Sequence, residues 1–178
     1  IVNLLNLAPG EKIATLLAID ENDANKYLLL ATKNGIVKKT SREEFKNINK
    51  AGLIAIGLRE DDELIGVRVT DGNKDILLVT KEGMSIRFDE NDIRPMGRSA
   101  MGVKGITLSN EDKVVSMSLC EEGTDVLVVS ENGFGKRTDI NEYRTQIRAG
   151  KGIKTYNIAD KTGKLVGAEM VNEDDEMM

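Results

Sequence analysis

The 178-residue chain has no histidine, no tryptophan, one cysteine and only three Phe and three Tyr. Without histidine there is no Ser-His-Asp or Cys-His nucleophile arrangement and no histidine metal site. A lone cysteine, Cys120, excludes an internal disulfide and a cysteine metal cluster. It follows the apolar strand pattern Val114–Leu119 and reads as a buried structural thiol. Scarce aromatics argue against base-stacking platforms. No apolar run approaches the ~20 residues of a membrane-spanning helix, and no signal peptide opens the chain. A cytoplasmic protein is therefore expected. Carboxylates are dense only in turn clusters, Glu60-Asp61-Asp62-Glu63 and Glu173-Asp174-Asp175-Glu176. No nucleophile–base pair is visible, so neither a catalytic residue nor a metal site is expected.

What the chain does have is repetition. Gly35, Gly83 and Gly133 stand 48 and 50 residues apart, and Lys39, Arg87 and Arg137 keep the same steps. So do the pairs Lys46/Lys50, Arg94/Arg98 and Arg144/Arg148. A period near 50 signals a stacked repeat or a propeller. The units run over about 25–72, 73–122 and 123–172. Residues 1–24 read as the tail of a preceding unit and 173–178 as the start of a truncated one, so the chain reads as a piece of a longer array.

Each unit reads as four strands. The first is Tyr27–Thr32, Asp75–Thr80 or Asp125–Ser130, a short run apolar enough to be buried on both faces. Asn34-Gly35, Glu82-Gly83 and Asn132-Gly133 predict type I′ hairpins. The second strand is Ile36–Thr40, Met84–Phe88 or Phe134–Thr138. Ser41, Asp89 and Asp139 then cap a single helical turn. A third strand begins near Ala55, Val103 or Ile153, and the fourth is Leu64–Val69, Val114–Leu119 or Leu165–Val171. Ile1–Leu7 and Lys12–Ile19 read as the last two strands of the preceding unit. The expectation is an all-β, propeller-like array of four-stranded antiparallel blades forming an incomplete ring. Its open edges would invite pairing with another chain. A two-sheet sandwich gives no reason for the period.

Net charge is −5, but the sign is segregated. The stretches 35–59, 83–106 and 133–154 hold 16 Lys or Arg against 7 Asp or Glu, which leaves −14 on the remainder. In a propeller such columns become stripes, and a regular row of cations matches a polyanion with a regular backbone. The candidate phosphate-binding residues are Lys38, Lys39, Lys46, Lys50, Arg87, Arg94, Arg98, Lys104, Lys136, Arg137, Arg144, Gln146, Arg148, Lys151 and Lys154. Glycines bracket the basic pairs at Gly97, Gly102, Gly105, Gly150 and Gly152; they serve close approach to phosphate or simply strand geometry.

The hairpins of the form N-G-x-x-(K/R)-(K/R), the (K/R)-x3-(K/R) pairs, GVKGI at 102–106 and GKGIKT at 150–155 together resemble the C-terminal domain of DNA gyrase A, part of a type IIA topoisomerase. The resemblance covers essentially the whole chain. It implies a six-bladed β-pinwheel, a propeller whose blades exchange strands, with duplex DNA bent around a basic rim. The family's box, Q-R-R-G-G-(R/K)-G, belongs to the first blade. Gln146–Gly152 resembles it at Gln146, Arg148, Gly150, Lys151 and Gly152 and departs at Ile147 and Ala149. By the same resemblance the partners are double-stranded DNA, the rest of gyrase A, and gyrase B in an A2B2 assembly near the nucleoid. The catalytic tyrosine lies elsewhere; Tyr27 reads as packing, Tyr143 and Tyr156 as surface or half-buried. ATP and Mg belong to the rest of the holoenzyme, and no cofactor is expected here. Two alternatives stand beside this reading: the equivalent domain of topoisomerase IV, and a protein-interaction propeller that binds through the acidic turns.

Overall fold

The structure, a computed structural model, describes residues 7, 9–18, 26–47 and 52–176. Eleven strands follow one another: β1 (Tyr27–Thr32), β2 (Ile36–Ser41), β3 (Leu64–Thr70), β4 (Asp75–Thr80), β5 (Met84–Asp89), β6 (Val103–Lys104), β7 (Val114–Leu119), β8 (Asp125–Ser130), β9 (Gly135–Asp139), β10 (Ile153–Lys154) and β11 (Leu165–Val171). They form three sheets, ordered β3-β1-β2-β6, β10-β5-β4-β7 and β11-β8-β9. The all-β, propeller-like reading holds. Among the described residues no helix is long and apolar enough to cross a membrane.

The hairpins form where the turn glycines stand, but not as type I′ turns. Gly35, Gly83 and Gly133 have φ near +80°, whereas Asn34, Glu82 and Asn132 stay at negative φ. Each glycine N–H returns to the last residue of the first strand, as Gly35 N does to Thr32 O at 3.0 Å. This is the three-residue loop that ends in a left-handed glycine, which keeps the strand twist with one permissive residue instead of two. Ser41, Asp89 and Asp139 each accept from the N–H two residues on and start a short 3₁₀ turn.

The central β4 is covered on both faces because a sheet stacks on each side, whereas β1 has the second sheet on one face and Leu17, Phe45, Ala55 and Ile56 on the other. Ile76 and Leu78 of β4 pack with Leu29, Val37 and Met117, whereas Leu77 and Val79 face the other way, onto Val126, Val128 and Leu165. Strand periodicity thus divides one strand between two cores. Full burial of such a side chain is worth about 1.5–3 kcal/mol. The strands β3, β7 and β11 meet on the inner side. They line a groove of about 410 Å³ with Arg68 and Glu169 at its edge.

The strand exchange that the resemblance implies is present, whereas two expectations read from the strand pattern change. The third strand of a unit does not join its own sheet: β6 pairs with β2 through Ile36↔Lys104 and Val37↔Val103, and β10 pairs with β5 through Ser85↔Ile153 and Met84↔Lys154. The second and the third repeat therefore each close the sheet before it. The run near Ala55 forms no strand, since no hairpin precedes it among the described residues to receive one. Lys12–Ala18, the described part of the second early run, is likewise not a strand, although Leu17 packs on the outer face of the first sheet. The run Ile1–Leu7 lies, save for Leu7, outside the described residues. Among the described residues the third sheet carries three strands, and its edge strand β9 is mostly exposed.

Candidate nucleic-acid interface

Strand exchange decides where the basic segments lie. After its 3₁₀ turn, the second and the third repeat each run along the outer edge of the preceding sheet. Pro95 bridges Lys39 and Thr145 bridges Arg87, both in parallel register. Met96 N then donates to Lys39 O at 2.8 Å and Gln146 N to Arg87 O at 2.8 Å. At β6 and β10 the pleat turns Val103 and Ile153 toward the cores and leaves Lys104 and Lys154 exposed.

Successive segments are also joined to each other. Gly57 N donates to Ala100 O at 3.1 Å, Ala149 N to Gly105 O at 2.7 Å, and Thr107 N to Gly150 O at 2.8 Å. Arg148 acts as a side-chain staple: Nε reaches Asp92 O and Nη1 reaches Lys104 O, each at 2.9 Å. The result is a continuous backbone belt. Exposed on it are Arg94, Lys104, Arg144, Lys151 and Lys154, and among the described residues none of these makes an ion pair with a carboxylate.

The other sequence-predicted residues fare differently. Lys38 and Lys39 are interior, not part of an exposed stripe. Lys38 is fully buried and its Nζ donates to Ala55 O at 2.7 Å and to Arg98 O. Burial pushes its pKa down, helped by the charge of Arg98 and opposed by Glu44. Lys39 donates to Glu90 O at 2.9 Å, pairs with the buried Glu90 carboxylate and lies over the Tyr27 ring at 5.3 Å. Arg87, half-buried, holds Asp75 Oδ2 at 2.8 Å and the carbonyls of Ile140 and Tyr143. Arg137 pairs with Asp125. The column Lys39/Arg87/Arg137 is thus bound to protein groups, and in the first two repeats it clamps one repeat to the 3₁₀ turn of the next.

Lys46 is exposed but paired with Glu43 at 2.6 Å; Lys136 is exposed and donates to Thr155 O at 3.3 Å. Arg98 and Gln146 are half-buried. Lys50 lies outside the described residues. Gly102 and Gly152 serve the exchange: both have positive φ, and a Cβ would stand 2.6 Å from Val37 O at the first and overlap Ser85 O at the second. Close backbone approach to strand, not to phosphate, accounts for them. Tyr143 is buried, with its hydroxyl against Thr155 Oγ1, rather than at the surface. Cys120 is buried as expected, and burial pushes its thiol up to about 12. Charge-column reading missed Lys26, which shares a polar cavity with Arg94; its counterpart Lys74, 48 residues on, was the available signal.

The family model for the DNA gyrase C-terminal domain, a β-propeller, matches residues 26–71, 74–121 and 124–172. The chain is 56% identical over 178 residues to the DNA gyrase A of Clostridium acetobutylicum, covering 100% of this chain and 21% of that protein. It is 62% identical over 178 residues to the DNA gyrase A of Halalkalibacterium halodurans, again covering 100% of this chain and 21% of that one. The chain thus spans about one fifth of the length of these curated relatives. A solved DNA gyrase A C-terminal domain superposes with a TM-score of 0.86 at 30% identity, covering 97% of this chain and 58% of that one. A topoisomerase IV C-terminal domain superposes equally well, at 0.86 and 29% identity, covering 95% and 53%.

Proposed function

We propose that this chain, which belongs to the DNA gyrase A C-terminal domain family, is a non-catalytic track on which duplex DNA bends. The observation that supports this is the stitched belt of exchanged segments, with Arg94, Lys104, Arg144, Lys151 and Lys154 exposed along it. Each cation placed on a phosphate releases a condensed counterion and reads no sequence. Bending a duplex of 20–30 base pairs costs about 1–6 kcal/mol, so many phosphate contacts must act together to offset it. The belt follows sheet edges, which fixes the spacing of its charges before DNA arrives. No part of the chemistry of strand passage is assigned to this chain. Cleavage, ATP and Mg belong in this reading to the remainder of gyrase A and to gyrase B, in an A2B2 assembly working on the cytoplasmic nucleoid.

The test is binding to duplexes of increasing length across a salt series, with Arg94→Glu, Lys104→Glu, Arg144→Glu and Lys154→Glu combined as the control. Affinity that grows with duplex length and collapses with salt and with the reversals is the expected result. Equal affinity for short and long duplexes would refute bending, and an unaltered affinity in the reversed variant would remove the belt from the interface.

A further inference from the structure

Two junctions between repeats can be compared position by position. At the junction of the second and third sheets, Asp75 stands among donors. Its Oδ2 accepts from Arg87 Nε at 2.8 Å and from Thr145 Oγ1 at 3.2 Å. At the junction of the first and second sheets the equivalent positions are Tyr27, Lys39 and Pro95. Tyrosine brings no carboxylate and proline brings no hydroxyl. Lys39 turns inward to Glu90 instead. What is left is an open polar cavity of about 350 Å³, lined by Lys26, Tyr27, Lys39, Asn73, Asn91 and Arg94 among others.

The charge around this cavity favours an anion. Lys26 and Arg94 are exposed and make no ion pair with a carboxylate among the described residues. The one acid in the lining, Asp71, is already engaged: its Oδ1 accepts from Asn73 N at 3.0 Å, and its Oδ2 lies 3.9 Å from Lys74 Nζ. The wall is polar and includes Lys39, whose ammonium is turned inward between Glu90 and the Tyr27 ring.

We infer that this cavity seats one phosphate group, held between Lys26 and Arg94 in the place that the Asp75 carboxylate fills at the next junction. The phosphate comes either from the duplex backbone or from free phosphate. The backbone case rests on the DNA-track reading and deepens it: one phosphate is then gripped in a socket while the others lie against an open belt. A planar guanidinium suits two phosphate oxygens at once, and an ammonium adds a point charge opposite.

Inorganic phosphate is the first probe, titrated into the full chain and followed by calorimetry and by phosphorus NMR. Saturable binding that weakens about tenfold in Lys26→Ala and in Arg94→Gln, and is abolished in Tyr27→Asp, is the expected result. Saturable binding that all three variants leave unchanged, or no saturable binding, would overturn the inference. Arg94→Gln is a surface change, so its readout does not depend on whether Tyr27→Asp folds. A long duplex is the second probe. Loss of duplex affinity in Lys26→Ala beyond that in Lys151→Ala identifies the backbone as the source. Phosphate binding with duplex affinity intact in Lys26→Ala identifies free phosphate. If the wild-type chain takes phosphate but no duplex, the track reading fails while the socket stands.

Discussion

The Lys39 ammonium lies 3.5 Å from Glu90 Oε2 and donates to the Glu90 carbonyl at 2.9 Å, with both side chains almost wholly inside the protein. Glu90 is held from its other side by Thr70 Oγ1 and by Lys74 N at 2.8 Å. The pair therefore ties the first hairpin to the turn that begins the second exchange. Breaking one half strands a buried charge, at a cost of about 3–5 kcal/mol. Lys39→Met and Glu90→Gln should each lower the unfolding free energy obtained from urea titration by that order. The double variant Lys39→Met with Glu90→Gln should cost clearly less than the two added together. Simple additivity in urea unfolding would mean that the two groups do not act as a pair.

Gly152 and Gly97 offer a matched test of the exchange. A Cβ on Gly152 would overlap Ser85 O in a backbone at φ 75°, whereas one on Gly97 meets nothing within 4 Å. Overpacking costs about 1–3 kcal/mol and the left-handed conformation about 1–2 kcal/mol. Gly152→Ala should therefore destabilise by at least about 2 kcal/mol and expose the edge of β5, seen as faster amide exchange at Met84 and Ser85. Gly97→Ala should stay within about 0.5 kcal/mol of the parent.

The hairpins are legible in the sequence because they are local: an apolar run, a glycine and a second run specify their own pairing. Exchange is not legible in that way. A two-residue strand such as Val103–Lys104 has no pattern that says which sheet it joins; tertiary contact with Ile36 and Val37 decides it. In the Lys39/Arg87/Arg137 column, Lys39 and Arg87 are drawn inward and Arg137 alone stays exposed, for a related reason. Charge suggests the surface, yet Tyr27, Asp75 and Asp125 recur twelve residues ahead of the three cations, diagonally across each hairpin. An acid at that offset is the signal of an internal pair, and in two of the three repeats it was there to be read. Arg94, Lys104, Arg144, Lys151 and Lys154 lack such a partner, and all five are exposed.

Lys38 carries a pH dependence of definite sign. Burial pushes its pKa below the ordinary 10.5 in the folded chain, while the unfolded chain keeps the ordinary value. Between the lowered value and 10.5 the unfolded state binds more protons, so stability rises with pH through that window. Below both values the protonated, buried ammonium costs stability. Urea midpoints measured from neutral pH upward should therefore climb toward pH 10.5 relative to Lys38→Met, in which that slope should vanish. A parallel pair of profiles would show that Lys38 stays equally protonated in both states.

Ala149 holds φ at 70°, the one positive value outside glycine among the described residues. It stands where the family's Q-R-R-G-G-(R/K)-G box has glycine. Its N–H still reaches Gly105 O at 2.7 Å, and its carbonyl accepts from Thr107 Oγ1 at 2.6 Å. The loop thus keeps a glycine-like backbone without the glycine. An alanine there bears about 1–2 kcal/mol of steric cost, of which glycine's freedom in the unfolded chain returns roughly 0.4–1. Ala149→Gly should raise stability by up to about 1 kcal/mol in thermal unfolding, and Ala149→Val should lower it by more than that, because a β-branched side chain tolerates this region least. Ile147, 82% exposed beside it, fills an arginine position of the same box. With the loop pinned by Arg148 and Ala149, Ile147→Arg adds a cation to a backbone that already has the right course. The salt dependence of duplex binding should steepen by about 0.9 in log–log slope, one phosphate contact, with the unfolding midpoint unchanged. An unchanged slope would mean that this loop faces away from the duplex.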